Sequence, residues 1–196
     1  MVQAILEGRK TMTRRVVKLA DGSNPDEDCI SYHLDNSFDK VMDFSKTYPY
    51  WKELKCPFGE IGTILWVRET FANSLNRGEF CYKADTDNSI YLDKNWKWKP
   101  SLFMPKSACR IFLKITDIKV ERLQEISEDD AIKEGVLSNG KGYYKAYFDS
   151  AIHAWIDKAY LSFISLWKSI NGEQSWNDNP FVWVISFEKT EKPFNF

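Results

Sequence analysis

The run from Arg110 to Leu123 constrains this chain most, because Ile111, Leu113 and Ile115 recur at every second position before Ile118 and Val120 resume the pattern out of step. A period of two puts those apolar side chains on one face of an extended strand, and that face has to be covered. The break in phase at Thr116-Asp117 predicts a bulge. Phe181 to Glu188 (FVWVISFE) is β-branched and aromatic, and is expected to close the same sheet. Ile61 to Phe71 and Glu79 to Ala84 read as further strands between turn residues. The spacers between these strands differ too much in length for regular βαβ winding. The expectation is therefore an α+β domain around a mixed sheet or small β-barrel, with antiparallel pairing the simpler arrangement.

Helices are expected to flank that sheet. Val2, Ala4, Ile5 and Leu6 mark a short opening helix. Ser127-Glu128-Asp129-Asp130 is a capping signal for a second helix, with Ala131 and Ile132 inside it, Glu134 at its end and Gly135 as its stop. Ala159 to Ile170 carries Phe163, Leu166, Trp167 and Ile170 on one stripe, and Asn171-Gly172 ends it. Lys141 to Ile156 reads as helix or loop. At 196 residues the chain fits one decorated domain, 1–196, with insertions at about 19–59 and 141–159.

A formal charge of -1 removes bulk basicity as an argument for nucleic-acid binding, so any anion site has to be local. Arg9, Lys10, Arg14, Arg15 and Lys18 supply such a patch near the start of the chain, ahead of the acidic stretch from Asp21 to Asp28. Cys29, Cys56, Cys81 and Cys109 form no Cys-x-x-Cys pair, and only His33 and His153 could join them on a metal. They are read as reduced thiols, with no cofactor or metal expected. No secretion signal, lipidation motif or membrane-length apolar run stands out, so a cytoplasmic, non-membrane protein is expected.

The strongest site signal is Gly8-Arg9-Lys10-Thr11-Met12-Thr13-Arg14-Arg15, directly after the opening helix. Glycine stops a helix in a left-handed conformation, so the residues after it are free to turn into a cleft. Equally, such a basic turn can simply offset the negative helix C-terminus. Arg15, and Arg68 at the end of its strand, present planar forks suited to a phosphate or a pyrimidine carbonyl, although pairing with Glu69 is the structural alternative. Trp96 and Trp98, in a lysine-rich loop, can stack on a base or cover a core edge.

In order along the chain come Gly8-x-Lys10-x-x-Thr13-x-Arg15, the strand Leu65-Trp66-Val67-Arg68-Glu69, the segment Leu123-x-x-Ile126-Ser127-x-x-Asp130-Ala131 and a terminal Trp183-Val184-Ile185-Ser186-Phe187. Together these resemble the ASCH domain family over nearly the whole chain. Within it the chain looks most like the larger phage- and prophage-associated members, which share a GRKTxTRR opening, a Cys56-Pro57-Phe58-Gly59 turn and the segment Trp98-Lys99-Pro100-Ser101-Leu102-Phe103-Met104-Pro105. The resemblance implies a PUA-like barrel with a cleft for RNA or a modified pyrimidine nucleoside. Such proteins usually have a barrel strand before the opening helix, whereas this sequence starts at the helix, and its insertions exceed those of minimal members.

One branch of the family is similar to acetylcytidine amidohydrolases, which use a Lys, a Thr and a Glu. Those positions match Lys10, Thr13 and Glu134, the glutamate less specifically than the other two. By this resemblance Lys10, Thr13 and Glu134 would be catalytic, while Gly8, Arg14, Arg15, Arg68, Glu69 and Trp98 are the expected ligand-binding set. Amide hydrolysis needs a nucleophile, a base and a proton donor for the leaving amine, and these three side chains can supply them. A lysine crowded by Arg9, Arg14 and Arg15 holds its proton less tightly, more so in a closed cleft. A non-catalytic RNA-binding or phage adaptor protein and, further off, a ribonuclease are the alternatives; protein partners are not indicated.

Overall fold

The computed structural model describes residues 1–18, 41–43, 52–73, 80–85, 97–147, 154–194 and 196. Its elements in chain order are α1 (Val2–Leu6), β1 (Met12–Val16), β2 (Val41–Asp43), β3 (Lys52–Leu54), β4 (Ile64–Trp66), β5 (Phe71–Asn73), β6 (Phe80–Tyr82), β7 (Phe112–Arg122), α2 (Glu128–Lys133), β8 (Tyr144–Lys145), β9 (Trp155–Ile156), α3 (Ala159–Asn171), α4 (Glu173–Asn177) and β10 (Phe181–Thr190). The class is α+β. The main sheet is a curled half-barrel with strand order β1-β10-β7-β4, and every pairing in it is antiparallel. Three two-stranded ribbons, β2-β3, β5-β6 and β8-β9, accompany it. Among the described residues no helix is long and apolar enough to cross a membrane.

The long alternating segment is indeed β7, and its register against β10 slips between Ser186 and Phe187, which leaves Thr116 as the extra residue of a bulge where the phase break predicts one. β10 lies inside the sheet, between β1 and β7, not at its closing edge. That position explains its composition. Val182 and Val184 pack on the helical side with Met12, Phe163 and Trp167, whereas Trp183 and Ile185 pack inside the curl with Ile115 and Val120. A strand covered on both faces has no polar side, so an unbroken apolar run suits it.

Three expectations change. The segment from Ile61 to Phe71 holds β4 and only the start of β5, and between the two strands lies the buried Glu69, held by Arg110. Lys141 to Ile156, expected as helix or loop, contributes β8 and β9, which pair with each other. On α3, Ile170 is exposed instead of buried, while Ser162 and Ser165 are inside. Their hydroxyls explain it: Ser162 donates to the Lys145 carbonyl at 2.6 Å and Ser165 accepts from the Tyr147 amide at 2.9 Å, which fastens the β8 segment to the helix.

The helix at Ser127 forms as its capping signal predicts, with the Ser127 hydroxyl accepting from the Asp130 amide at 3.1 Å. Glu128 then reaches α3, where its carboxylate accepts from the Ala159 amide and, at 3.0 Å, from that of Tyr160. A carboxylate bound to first-turn amides caps α3 and locks α2 to it. Most of the excursion at 19–59, together with 148–153, Trp96, Cys29, His33 and His153, lies outside the described residues. Cys56 and Cys109 are free thiols.

Candidate functional site

The basic run leaves α1 at Gly8, whose φ of 75° carries the chain out of the helix. Residues 9 to 11 are then fastened to the end of α2: the Thr11 amide donates to the Lys133 carbonyl at 2.9 Å, and Arg9 Nη1 donates to the Gly135 carbonyl at 2.8 Å. The Lys10 amide bonds back to the Ala4 carbonyl at 3.0 Å, and the Phe187 amide donates to the Thr11 carbonyl at 2.9 Å. The expected turn therefore becomes the sheet's edge strand β1. Its inner neighbour is β10, where Thr13 faces Ile185 and Arg15 faces Trp183.

This zipping delivers Lys10 into the protein with only 6% of its surface exposed. Lys10 Nζ donates to Glu134 Oε2 at 2.6 Å and to the Glu134 carbonyl at 2.8 Å. Burial holds the Lys10 pKa below the usual lysine value, opposed by its bond to Glu134 and reinforced by the nearby charges of Arg15 and Arg14. Glu134 is equally buried, and its other oxygen lies 3.4 Å from Arg14 Nη1.

Lys10, Thr13 and Glu134 open onto one hollow of about 120 Å³, walled on its far side by Phe163, Trp167 and Ile170 of α3. That volume is on the scale of a cavity that takes up a single aromatic ring, about 150 Å³. The wall therefore combines the Lys10–Glu134 pair, Thr13 of the edge strand and an apolar surface from a helix.

Arg14 is not a free ligand fork. Its side chain is fully buried and meets three carboxylates, Glu121, Asp130 at 3.1 Å and Glu134. Lys119 and Lys133 reach into the same cluster through Glu121 and Asp130. Arg14 Nε is buried without a hydrogen-bond partner among the described residues, a cost the ionic contacts of the other nitrogens offset. Burial raises the Asp130 pKa, but Lys119 and Arg14 outweigh it and bring the carboxyl below its ordinary range. Arg15 is exposed at the lip of the hollow.

Arg68, Glu69 and Trp98 lie elsewhere. Arg68 is exposed over the Trp66 ring at 5.7 Å and donates to the Leu102 carbonyl at 3.4 Å. Glu69 is buried under Arg110, which grips both of its oxygens at 2.8 and 3.0 Å, reaches Asp85 at 2.6 Å and stacks on Tyr82. Trp98 is half-buried, beside the Phe71–Lys99 bridge. Gly8 acts through its backbone and does not line the hollow.

The α3 wall escaped sequence reasoning as a site, although Phe163, Trp167 and Ile170 were visible as an apolar stripe. Nor was the pairing of Arg14 with Glu121 and Asp130 apparent, since nothing local joins positions more than a hundred residues apart. No family model, curated protein or solved structure matches this chain.

Proposed function

We propose that this chain is an ASCH-like, PUA-like protein that binds a modified pyrimidine nucleoside, free or within RNA, in the Lys10 hollow and hydrolyses an N-acyl group from its exocyclic amine. The observation that supports this reading is the buried contact of Lys10 with Glu134 at the wall of a ring-sized hollow that Thr13 also lines. A buried lysine with a lowered pKa gives up its proton at lower pH than an exposed one does, the direction a general-base role requires.

In this reading the planar base lies against Phe163 and Trp167 with its acylated amine toward Lys10. Neutral Lys10 takes the proton from the Thr13 hydroxyl as Thr13 Oγ bonds to the acyl carbon, giving a tetrahedral intermediate. The carbon–nitrogen bond then breaks. The proton on Lys10 passes through Glu134, 2.6 Å away, to the departing amine. Water, deprotonated by Lys10, attacks the threonyl ester and releases the carboxylic acid, which restores the hydroxyl.

Incubation of the purified protein with acetylcytidine tests this directly. Release of cytidine and acetate is expected, and Lys10→Ala is expected to slow it at least about a hundredfold, the scale for removing a positioned base. Intact substrate after hours, with no thermal stabilisation of the protein by the nucleoside, overturns the proposal.

A further inference from the structure

A second, larger hollow of about 310 Å³ lies on the other side of β1, bounded by Arg15, Lys18, Lys55, Pro57, Phe58 and Trp183. Its lining divides by chemistry. Pro57 and Phe58 supply apolar surface, Trp183 lines the hollow while only 2% exposed, and Arg15, Lys18 and Lys55 supply three positive charges. No carboxylate is among the described residues that line it. Glu60 does approach Lys55, at 3.7 Å, but both side chains are well exposed, so the pair is loose and solvent-screened.

The hollow is built from firm parts. Arg15 stands directly opposite Trp183 in the β1–β10 register, so both side chains project from the same face of the sheet. The Pro57-Phe58 turn is closed by the Gly59 amide on the Cys56 carbonyl at 3.2 Å. It is tied to β7 by the Gly62 amide on the Ile115 carbonyl at 2.8 Å and the Ile115 amide on the Thr63 carbonyl at 2.9 Å. The two hollows also share residues: Arg15 and Val16 line both, so they meet across the single edge strand β1. A ligand with its ring beside Lys10 can therefore extend past Arg15 into a basic, partly aromatic cup.

We propose that this cup takes the phosphate of a phosphorylated pyrimidine nucleoside whose base occupies the Lys10 hollow, so that the substrate is a nucleotide and not a bare nucleoside. The inference rests on the function proposed above and deepens it. Arg15 offers a planar fork, and Lys18 and Lys55 offer point charges, the combination that holds phosphate oxygens by charge-assisted bonds. Phe58 gives the sugar or a neighbouring base an apolar surface. Phosphate chemistry is common to a free nucleotide and to a residue within an RNA strand, and binding measurements separate the two.

The experiment compares the dissociation constants of acetylcytidine, its 5′-monophosphate and a short RNA carrying one acetylcytidine, each at several salt concentrations. The monophosphate is expected to bind at least tenfold more tightly than the nucleoside. Lys18→Ala combined with Lys55→Ala, two exposed positions, is expected to bring that ratio to within about twofold. If the RNA binds more tightly still, with a steeper salt dependence, about 0.7 per added contact in a plot of log K against log salt, the phosphate belongs to a strand. If the RNA binds no better than the monophosphate, the ligand is the free nucleotide. Equal affinity for nucleoside and monophosphate overturns the phosphate cup while leaving the Lys10 site standing. Absence of binding by all three overturns both.

Discussion

Lys10 Nζ and Glu134 Oε2 are 2.6 Å apart across 124 residues of sequence, inside a part of the protein where each side chain is only 6% exposed. The pair joins the segment that leads into β1 to the end of α2, so it is structural. Removing one partner leaves the other charge buried with a poorer environment. Lys10→Met is therefore expected to lower stability by about 3 kcal/mol, and Lys10→Met with Glu134→Gln to recover part of that loss. Denaturant unfolding of the two single variants and the double variant measures the coupling.

The same burial sets a pH dependence. Because burial lowers the Lys10 pKa, the unfolded chain keeps that proton to higher pH than the native protein does. The unfolded state thus binds more protons between the lowered native value and the ordinary lysine value of about 10.4, and stability rises with pH across that window. Below it the cost of the buried ammonium is fully felt; above it that cost is gone. The unfolding free energy of the wild type minus that of Lys10→Met is expected to increase from neutral to alkaline pH. Deacylation, if Lys10 is the base, is expected to rise with pH and level off below about 10.4. A difference that stays flat over this range contradicts the assignment.

Asp130 acts at the opposite end of the scale. Its carboxyl titrates below the ordinary range because Lys119 and Arg14 outweigh its burial. The stabilisation is complete above the unfolded aspartate value of about 3.9 and is lost as pH falls through the lower native value. Asp130→Asn also breaks the 3.1 Å contact with the buried Arg14 guanidinium. It is expected to cost about 2 kcal/mol at neutral pH, the scale of a hydrogen bond to a charged group, and to cost progressively less as pH falls through the lowered native value. Thermal unfolding at neutral and at acid pH distinguishes this from a simple helix-propensity effect, which would persist in acid.

Much of the frame was legible because its signals are local. The phase break at Thr116 marks the bulge in β7, and the Ser127 hydroxyl and Gly135 bound α2. The β1 strand was not legible, since Met12-Thr13-Arg14-Arg15-Val16 has no apolar alternation. Its inward position at Arg14 is satisfied by charges from β7 and α2, and a sequence pattern does not reveal partners so remote. Glu69 hides for the same reason, because its burial depends on Arg110, 41 residues away. Lys10, Thr13 and Glu134 were singled out by resemblance to a family motif, whereas their spacing alone left a solvated basic turn equally open.

Two glycines with similar backbone angles should respond very differently to a methyl group. Gly8 has φ 75° and Gly135 has φ 85°, so alanine is strained at either position. A Cβ on Gly8 would meet nothing within 4 Å, and Gly8→Ala is expected to cost about 1 kcal/mol through backbone strain alone. At Gly135 a Cβ would come within 2.7 Å of Lys10 Cβ and 3.2 Å of both Lys10 Cα and Ala4 Cβ. Those neighbours belong to a buried, hydrogen-bonded segment that cannot retreat cheaply, so Gly135→Ala adds a clash of about 1–3 kcal/mol to the strain. The clash also pushes on the stem of Lys10, whose ammonium must stay on Glu134. The affinity for acetylcytidine, measured well below each variant's melting temperature, is therefore expected to survive Gly8→Ala and to fall sharply in Gly135→Ala. Equal losses in the two variants would mean that the close approach of α2 to Lys10 does not shape the hollow.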